Sequence, residues 1–266
     1  MLIKAGNRRI YYDLVGAESA PVVCFAHSLS SDGGMWAEQL PPLLADGWRV
    51  LRLDMRGHGG SDPVEGDYTM AALADDVALS LDFLGIDKVH LIGLSIGGMI
   101  GQAFAIGHGS RLHSCMLCDT APATPPGGKD VWRGRVEAVK AAGSLEALGD
   151  QTMERWFTGA FKMKQPARWK EIRSTIVNTT TAGYIGCAAA IADYDFVPKL
   201  PDVAVPTLVV CGDEDPGTPP EGNKRIAELI PGARYEGIAN ARHFPNVERA
   251  DVFNRIMMTW LSSRRG

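Results

Sequence analysis

The chain has 266 residues, of which 45% are hydrophobic, so it can bury one full α/β core and does not require a second independent domain. Its formal net charge of -4 comes from 27 basic and 31 acidic residues spread along the sequence, which leaves no basic face for a nucleic-acid partner. No apolar run approaches the roughly 18–20 residues of a membrane span, and the N-terminus turns polar too early for a signal peptide. We therefore expect a soluble, cytoplasmic protein with no membrane partner.

Short apolar runs bounded by Gly, Pro or Asp predict strands at residues 21–26, 48–54, 89–93, 112–118, 206–212 and 233–237. Runs that are apolar at nearly every position are typical of strands buried on both faces. Helical periodicity lies between them, at residues 70–84, 221–230 and 251–261. This alternation predicts an α/β fold with a mostly parallel central sheet and helices on both faces.

The segment from residue 122 to residue 205 breaks the alternation. It opens with Pro122, Pro125 and Pro126 and continues with mainly helical patterns, such as 133–142 and 145–157, without a clear buried strand. We predict that residues 1–121 and 206–266 form the core, and that residues 122–205 form a helical cap insertion over a site at the strand ends.

The five cysteines favour a reducing compartment. Cys24 and Cys211 lie inside predicted strands, where a thiol behaves as a small hydrophobe. Cys115 and Cys118 form a C-x-x-C pair, but residues three apart on a strand point to opposite faces. The pattern therefore favours buried thiols over a redox or metal site.

The strongest chemical signal is the G-x-S-x-G sequence from Gly93 to Gly97, which follows a predicted strand and opens a helix. A sharp strand-to-helix turn strains the backbone of its central residue and needs small neighbours, which Gly93 and Gly97 provide. Ser95 would then stand above the sheet at a helix N-terminus, where the helix dipole favours negative charge. We predict that Ser95 is a nucleophile.

A serine hydroxyl needs a base, and behind such a turn the acid and the histidine follow the serine in chain order. Of the six histidines, only His243 comes after the last predicted strand, in the loop before the closing helix. His243 is therefore the predicted base.

The acid is expected at the end of strand 206–212, where Asp213, Glu214 and Asp215 follow one another. Asp213 leaves the strand too early to clear the sheet, whereas Asp215 lies at the tip of the turn, so Asp215 is preferred. Asp119, at the end of the preceding strand, remains an alternative because it could reach His243 from the neighbouring strand.

An attacked carbonyl develops an oxyanion, which needs two donors. The backbone amide of Ile96 is one expected donor, and the amide of Leu29, in the turn after strand 21–26, is the other. His27 and Ser28 are more often supports of this loop than reacting groups. The glycine-rich segment 54–62 is more often held by a buried Arg–Asp pair than used to bind substrate.

On these motifs the sequence resembles the α/β-hydrolases over almost its whole length, and within them the 3-oxoadipate enol-lactonases of aromatic catabolism. The general family pattern lies in residues 27–29, 54–59, 93–98 and 212–219 and in the loop ending at His243. The subgroup resemblance lies in residues 93–102, 155–158, 183–193, 215–220, 232–235 and 246–248. The sequence departs from this subgroup at three positions. It has His27 where an asparagine is usual, Ile96 in place of a methionine, and Tyr194 next to Asp193.

The resemblance implies a serine hydrolase that opens a five-membered enol-lactone bearing a carboxylate, through an acyl-enzyme and with no metal or organic cofactor. A substrate carboxylate calls for a cationic or donor-rich patch. The candidates for substrate binding are His27, Arg133, Arg135, Arg155 and Trp156.

Other functions remain open on the sequence alone. A carboxylesterase, another lactonase, including one for acyl-homoserine lactones, and a carbon–carbon bond hydrolase would use the same three side chains. A receptor of this fold that binds a small lactone is a more distant alternative. Dehalogenases and epoxide hydrolases of the fold need an aspartate at the position of Ser95. The oligomeric state is not determined by the sequence.

Overall fold

The computed structural model describes residues 1–6 and 8–265. The strands in this part of the chain are β1 (Leu2–Ala5), β2 (Arg8–Val15), β3 (Val22–Ala26), β4 (Arg49–Leu53), β5 (Val89–Leu94), β6 (Leu112–Cys118), β7 (Thr207–Gly212) and β8 (Arg234–Ile238). The α-helices are α1 (Leu40–Ala45), α2 (Met70–Phe83), α3 (Ile96–His108), α4 (Gly128–Ala142), α5 (Glu146–Trp156), α6 (Gly159–Lys164), α7 (Pro166–Asn178), α8 (Thr181–Ala192), α9 (Pro220–Leu229), α10 (Pro245–Glu248) and α11 (Ala250–Ser262).

The strands form one sheet in the order β1-β2-β4-β3-β5-β6-β7-β8. The pairs β1/β2 and β2/β4 are antiparallel, and every pair from β4 to β8 is parallel. Strands β3, β5 and β7 are buried at every position, as expected for central strands covered on both sides. The predicted α/β fold with a mostly parallel sheet is confirmed.

Alternate residues of the central strands enter two separate hydrophobic cores. On β5, Leu91 belongs to one core and Ile92 to the other, since successive strand residues point to opposite faces. Helices α2 and α3 cover the first core, and α11 covers the second with Phe253 and Trp260. The carboxyl ends of β3, β5, β6 and β7 therefore meet at one edge of a rigid sheet.

Strands β1 and β2 were not predicted. Their burial alternates along the chain and several of their residues face solvent, so they lack the continuous apolar runs of the central strands. Both lie at the outer, antiparallel end of the sheet. No α-helix in residues 1–6 and 8–265 is long and apolar enough to cross a membrane.

Helices α4 to α8 lie between β6 and β7, and we call them the cap. An antiparallel bridge between Ala123 and Asp195 joins the two ends of this segment. The Tyr194 hydroxyl reinforces the junction by donating to the Ala121 carbonyl at 3.1 Å. The cap therefore leaves and re-enters the core at neighbouring points near the carboxyl ends of the strands.

Candidate active site

Ser95 occupies a strained turn between β5 and α3. Its backbone has φ 59° and ψ −120°, a conformation that costs free energy in a residue with a side chain. Two hydrogen bonds hold it there: the Ser95 amide donates to the Cys118 carbonyl at 2.9 Å, and the Thr120 hydroxyl donates to the Ser95 carbonyl at 2.8 Å. The strain is thus maintained by the end of β6, as expected for a residue whose position serves function.

Two glycines allow this turn. A Cβ at Gly93 would lie 2.1 Å from the Gly97 carbonyl oxygen, and a Cβ at Gly97 would lie 2.1 Å from the Ala26 carbonyl oxygen. Both obstacles are backbone atoms, which cannot rotate away. The glycines therefore let α3 begin directly against β3 and β5, which brings the start of the helix next to the loop after β3.

His243 and Asp215 form a buried pair beside this turn. The Nδ1 atom of His243 lies 2.7 Å from Oδ2 of Asp215, and the side chains are 8% and 0% exposed. Asp215 also accepts from the Thr218 hydroxyl at 2.7 Å and from the amides of Gly217 and Thr218 at 2.8 and 3.2 Å. With Nδ1 held by the carboxylate, Nε2 is the ring nitrogen left to exchange a proton with a substrate or a serine.

Opposing effects act on the pKa of Asp215. Burial raises this pKa, but the charge and hydrogen bond of His243, the Thr218 hydroxyl and the Gly217 amide outweigh burial, and the pKa lies below its ordinary value. Asp215 is therefore a carboxylate at neutral pH, as a partner for an imidazolium must be.

The other acid candidates make different contacts. Asp213 and Glu214 are exposed. Asp119 is fully buried and lies close to the pair, since one polar atom each of Asp119, Asp215 and His243 lie within 4.8 Å of one another. Its Oδ1, however, accepts from the Gly212 amide at 2.9 Å. It is Asp215, not Asp119, that accepts the hydrogen bond from Nδ1 of His243.

Ser95, Asp215 and His243 line one cavity of about 610 Å³ between the strand ends and the cap. The structure thus brings together the three side chains that the sequence nominated from three distant positions. Aromatic and small apolar side chains from the cap form much of the wall, including Trp132, Trp156, Tyr184 and Tyr194. A substrate bound there would be largely removed from water.

The two predicted oxyanion donors come from the loop after β3 and from the start of α3. Leu29 lines the cavity, and Ile96 is the first residue of α3. Within the described residues, neither backbone amide has a hydrogen-bond acceptor. Both N–H groups are thus free to donate to a substrate oxygen.

Three of the five substrate-binding candidates reach the cavity: Arg135, Arg155 and Trp156. Arg135 lies over the ring of Trp132, with 4.8 Å between Cζ and the ring centroid. Burial lowers the pKa of Arg155, and repulsion from Arg135 lowers it further. In the described chain neither guanidinium pairs with a carboxylate, so the cavity wall carries two uncompensated positive charges.

The predictions for His27 and Arg133 require correction. His27 is fully buried behind the cavity, where Nε2 accepts from the Met55 amide at 2.8 Å and Nδ1 contacts the Ser28 carbonyl at 2.7 Å. Both ring nitrogens are used by the protein, so His27 supports the loop that carries the Leu29 amide. The side chain of Arg133 is 65% exposed and pairs with Asp130 on the outer face of α4. Arg135 lies two residues further along the same helix, and helix residues two apart point in different directions, so only Arg135 reaches the cavity.

Sequence reasoning missed Thr218 and Tyr184 as parts of the site. Thr218 bonds Oδ2 of Asp215 and lies 3.3 Å from Nδ1 of His243, so it helps to align the pair. A hydroxyl three residues after an acid was a usable signal for this local contact. Nothing in the periodicity of the cap showed that Tyr184 faces the cavity, whereas the sequence already marked Tyr194 as a departure from the enol-lactonases that touches the pocket.

Residues 21–250 match the family model described as the alpha/beta hydrolase fold. The chain is an α/β-hydrolase. It is 31% identical to 3-oxoadipate enol-lactonase 1 of Acinetobacter baylyi over 263 residues, which cover 99% of this chain and 97% of that protein.

Solved structures of two α/β-hydrolases superpose on nearly the whole chain. The enol-lactonase from Burkholderia xenovorans has a TM-score of 0.93 and 34% identity, covering 98% of this chain and 100% of its own. A malate-bound thermophilic esterase from Thermogutta terrifontis has a TM-score of 0.92 and 29% identity over 100% of both chains. This hydrolase is therefore similar to lactone-opening and ester-cleaving enzymes alike.

Proposed function

We propose that this α/β-hydrolase opens a small carboxylate-bearing lactone, of the 3-oxoadipate enol-lactone type, through an acyl-enzyme on Ser95. The observation that carries the proposal is the pair of uncompensated guanidinium groups, Arg135 and Arg155, in the same cavity as Ser95 and His243. Partly buried cations without counter-ions are costly, so a site that keeps two of them favours an anionic ligand. The similarity to two enol-lactonases supports the same substrate class.

In the proposed reaction, Oγ of Ser95 attacks the lactone carbonyl while Nε2 of His243 takes its proton. Asp215 holds the ring through Nδ1 and stabilises the imidazolium. The amides of Leu29 and Ile96 donate to the oxyanion. Collapse of this intermediate breaks the ring C–O bond and leaves an acyl chain on Ser95. The imidazolium of His243 gives its proton to the departing enolate oxygen, and the resulting enol relaxes to a ketone.

In the second half of the reaction, His243 removes a proton from water, and the hydroxide formed attacks the acyl carbon. His243 then returns this proton to Oγ of Ser95 as the acyl C–O bond breaks and the diacid leaves. The ring-opened chain then carries two carboxylates. Its ketone cannot easily re-form the enol ester, so opening is effectively irreversible. The chain's own residues supply every proton transfer in this scheme.

The first test is the ultraviolet loss of 3-oxoadipate enol-lactone, compared with cleavage of a short p-nitrophenyl ester, by the wild type and Ser95→Ala. We expect Ser95-dependent loss of the lactone with kcat/KM in the usual range of about 10⁴–10⁸ M⁻¹s⁻¹ and well above the value for the ester. Efficient cleavage of the ester without cleavage of the lactone would reject the lactone proposal and retain Ser95 as the nucleophile.

Arg155→Gln tests recognition of the carboxylate. A charge-assisted hydrogen bond is worth roughly 1.5–3 kcal/mol, so we expect kcat/KM for the enol-lactone to fall about 10- to 100-fold, mainly through KM. Cleavage of the uncharged p-nitrophenyl ester should stay within about threefold of wild type. Arg133→Gln is the matched control, since Arg133 lies on the same cap but outside the cavity. Equal losses on both substrates would contradict a carboxylate-specific role.

A carboxylesterase is the second candidate, and the size of the cavity favours it. A volume of about 610 Å³ is more than a six-carbon lactone fills, and it lies within the range of about 300–1,000 Å³ typical of sites for larger ligands. If kcat/KM rises along a series of longer p-nitrophenyl esters and exceeds that of the lactone, the esterase assignment is preferred.

A further inference from the structure

Asp119 is a buried carboxyl group behind the candidate triad that the proposed reaction does not use. It follows β6 directly and has φ 43°, a left-handed conformation that is uncommon for a residue other than glycine. Its amide donates to the Val210 carbonyl at 2.9 Å, and its Oδ1 accepts from the Gly212 amide at 2.9 Å. Its Oδ2 is buried and receives no hydrogen bond from the described residues.

The surroundings of Asp119 would not stabilise a negative charge on that second oxygen. The titratable groups that face it are the thiols of Cys118 on β6 and Cys211 on β7, the ring of Tyr235 on β8, and the Asp215–His243 pair. His243 is the one basic side chain in this set, and its Nδ1 is already bonded to Asp215.

Two physical effects oppose ionisation of Asp119. Burial raises its pKa well above the ordinary value, and the negative charge of Asp215 raises it further, although the Gly212 amide and the Cys211 thiol act in the other direction. Two carboxylates this close cannot both ionise without a large cost, and Asp215 is the one with four hydrogen bonds. If Asp119 is protonated, the repulsion between the two carboxylates is removed.

Asp119 is also well placed to hold Asp215. The amide of Gly212 donates to Asp119, and the carbonyl of Gly212 accepts from the Asp215 amide at 3.3 Å. The same glycine packs closely against the histidine loop, since a Cβ on it would lie 2.3 Å from the Arg242 carbonyl oxygen. Asp119 therefore anchors Gly212, which in turn contacts both the Asp215 turn and the loop that carries His243.

We propose that Asp119 is a positioning residue that remains protonated in the folded enzyme at neutral pH, so that it anchors Gly212 and the Asp215 turn without placing a second negative charge beside His243. The proposal rests on the candidate triad and not on the identity of the lactone.

The pH dependence of unfolding tests the protonation state. Unfolding frees the Asp119 carboxyl to ionise above its unfolded pKa of about 3.9, so its contribution to stability is present below that pH and is lost as the pH rises toward the folded value. In urea titrations from about pH 5 to pH 7, we expect the unfolding constant of wild type relative to Asp119→Asn to rise roughly tenfold per pH unit.

Asp213→Asn is the matched control for this experiment, because it makes the same chemical change at an exposed carboxylate on the same turn. The unfolding constant of wild type relative to Asp213→Asn should stay nearly constant over the same pH range. A constant ratio for Asp119→Asn between about pH 6 and pH 7 would show that Asp119 is ionised at neutral pH and would overturn the proposal.

The positioning role is tested by kcat and KM on a p-nitrophenyl ester. Asp119→Ala leaves the buried Gly212 amide without an acceptor, so we expect kcat to fall at least about tenfold with KM within about threefold. Asp119→Asn keeps an acceptor oxygen and no charge, and should restore most of kcat. If the asparagine variant is as impaired as the alanine variant, or if both match wild type, the role is rejected.

These experiments separate the proposal from the proposed function. The comparison of unfolding constants between wild type and Asp119→Asn needs no substrate. It does not use Asp119→Ala, so it remains informative if that variant does not fold. Loss of Ser95-dependent hydrolysis on every substrate would contradict the proposed function and leave the protonation test unaffected.

Discussion

At the scale of single residues, two aspartates in one buried cluster have opposite electrostatic surroundings. Asp215 has a histidine, a hydroxyl and two amides around its oxygens, and its pKa lies below the ordinary value. Oδ1 of Asp119 accepts from one amide, whereas its Oδ2 receives no hydrogen bond from the described residues, and the pKa of Asp119 lies well above its ordinary value. Local hydrogen bonding, not burial alone, separates the anion from the acid.

This difference predicts the effect of Asp215→Asn. An amide at this position would not stabilise the imidazolium and would favour the wrong tautomer of His243, so we expect kcat to fall about 10⁴-fold, as in serine proteases with the equivalent change. Steady-state kinetics on the p-nitrophenyl ester measure it, with Asp213→Asn expected within about twofold of wild type. A loss under tenfold at Asp215 would reopen Asp119 as the acid.

At the scale of elements, the site depends on how closely α3 approaches β3 and β5. The first turn of α3 lies against the carbonyls of Ala26 and His27, with Gly97 at the contact. This approach brings the start of the helix, with the amide of Ile96, beside the loop that carries the amide of Leu29. The two proposed oxyanion donors therefore belong to two elements whose close approach depends on Gly97.

Gly97→Ala should accordingly lower the free energy of unfolding by about 1–3 kcal/mol or more, because the new methyl group meets backbone oxygens that cannot move aside. Gly107→Ala, in the same helix, is the matched control: its Cβ would meet open space, and the better helix propensity should raise stability by roughly 0.5–1 kcal/mol. Urea unfolding of both variants checks the prediction, and equal effects would disprove the packing argument.

At the scale of the whole molecule, buried neutral histidines couple folding to pH. Burial lowers the pKa of His58 to about 3, and the neighbouring His27 adds to the effect. The unfolded chain therefore binds a proton below about pH 6.5 that the folded chain does not, and stability must fall as the pH drops from about 6.5 toward 3.

His58→Asn should make this acid destabilisation shallower. We expect the difference in unfolding free energy between about pH 6.5 and pH 4.5 to be smaller in the variant than in wild type by up to roughly 1.4 kcal/mol per pH unit, because one group ceases to titrate. Urea titrations at several pH values measure this difference. An unchanged pH dependence would show that groups other than His58 cause the acid destabilisation.

The sequence by itself determined the fold class, because apolar strands and amphipathic helices follow from local periodicity. It also nominated Ser95, Asp215 and His243, since the glycine-flanked serine and the chain order of acid and base are local features. Tertiary structure alone decided which cap side chains face the cavity and why His27 and Arg133 lie outside it. It also decided why Oδ2 of Asp119 is buried with no hydrogen-bond donor among the described residues. Those outcomes depend on packing between residues far apart in the chain, which no local pattern records.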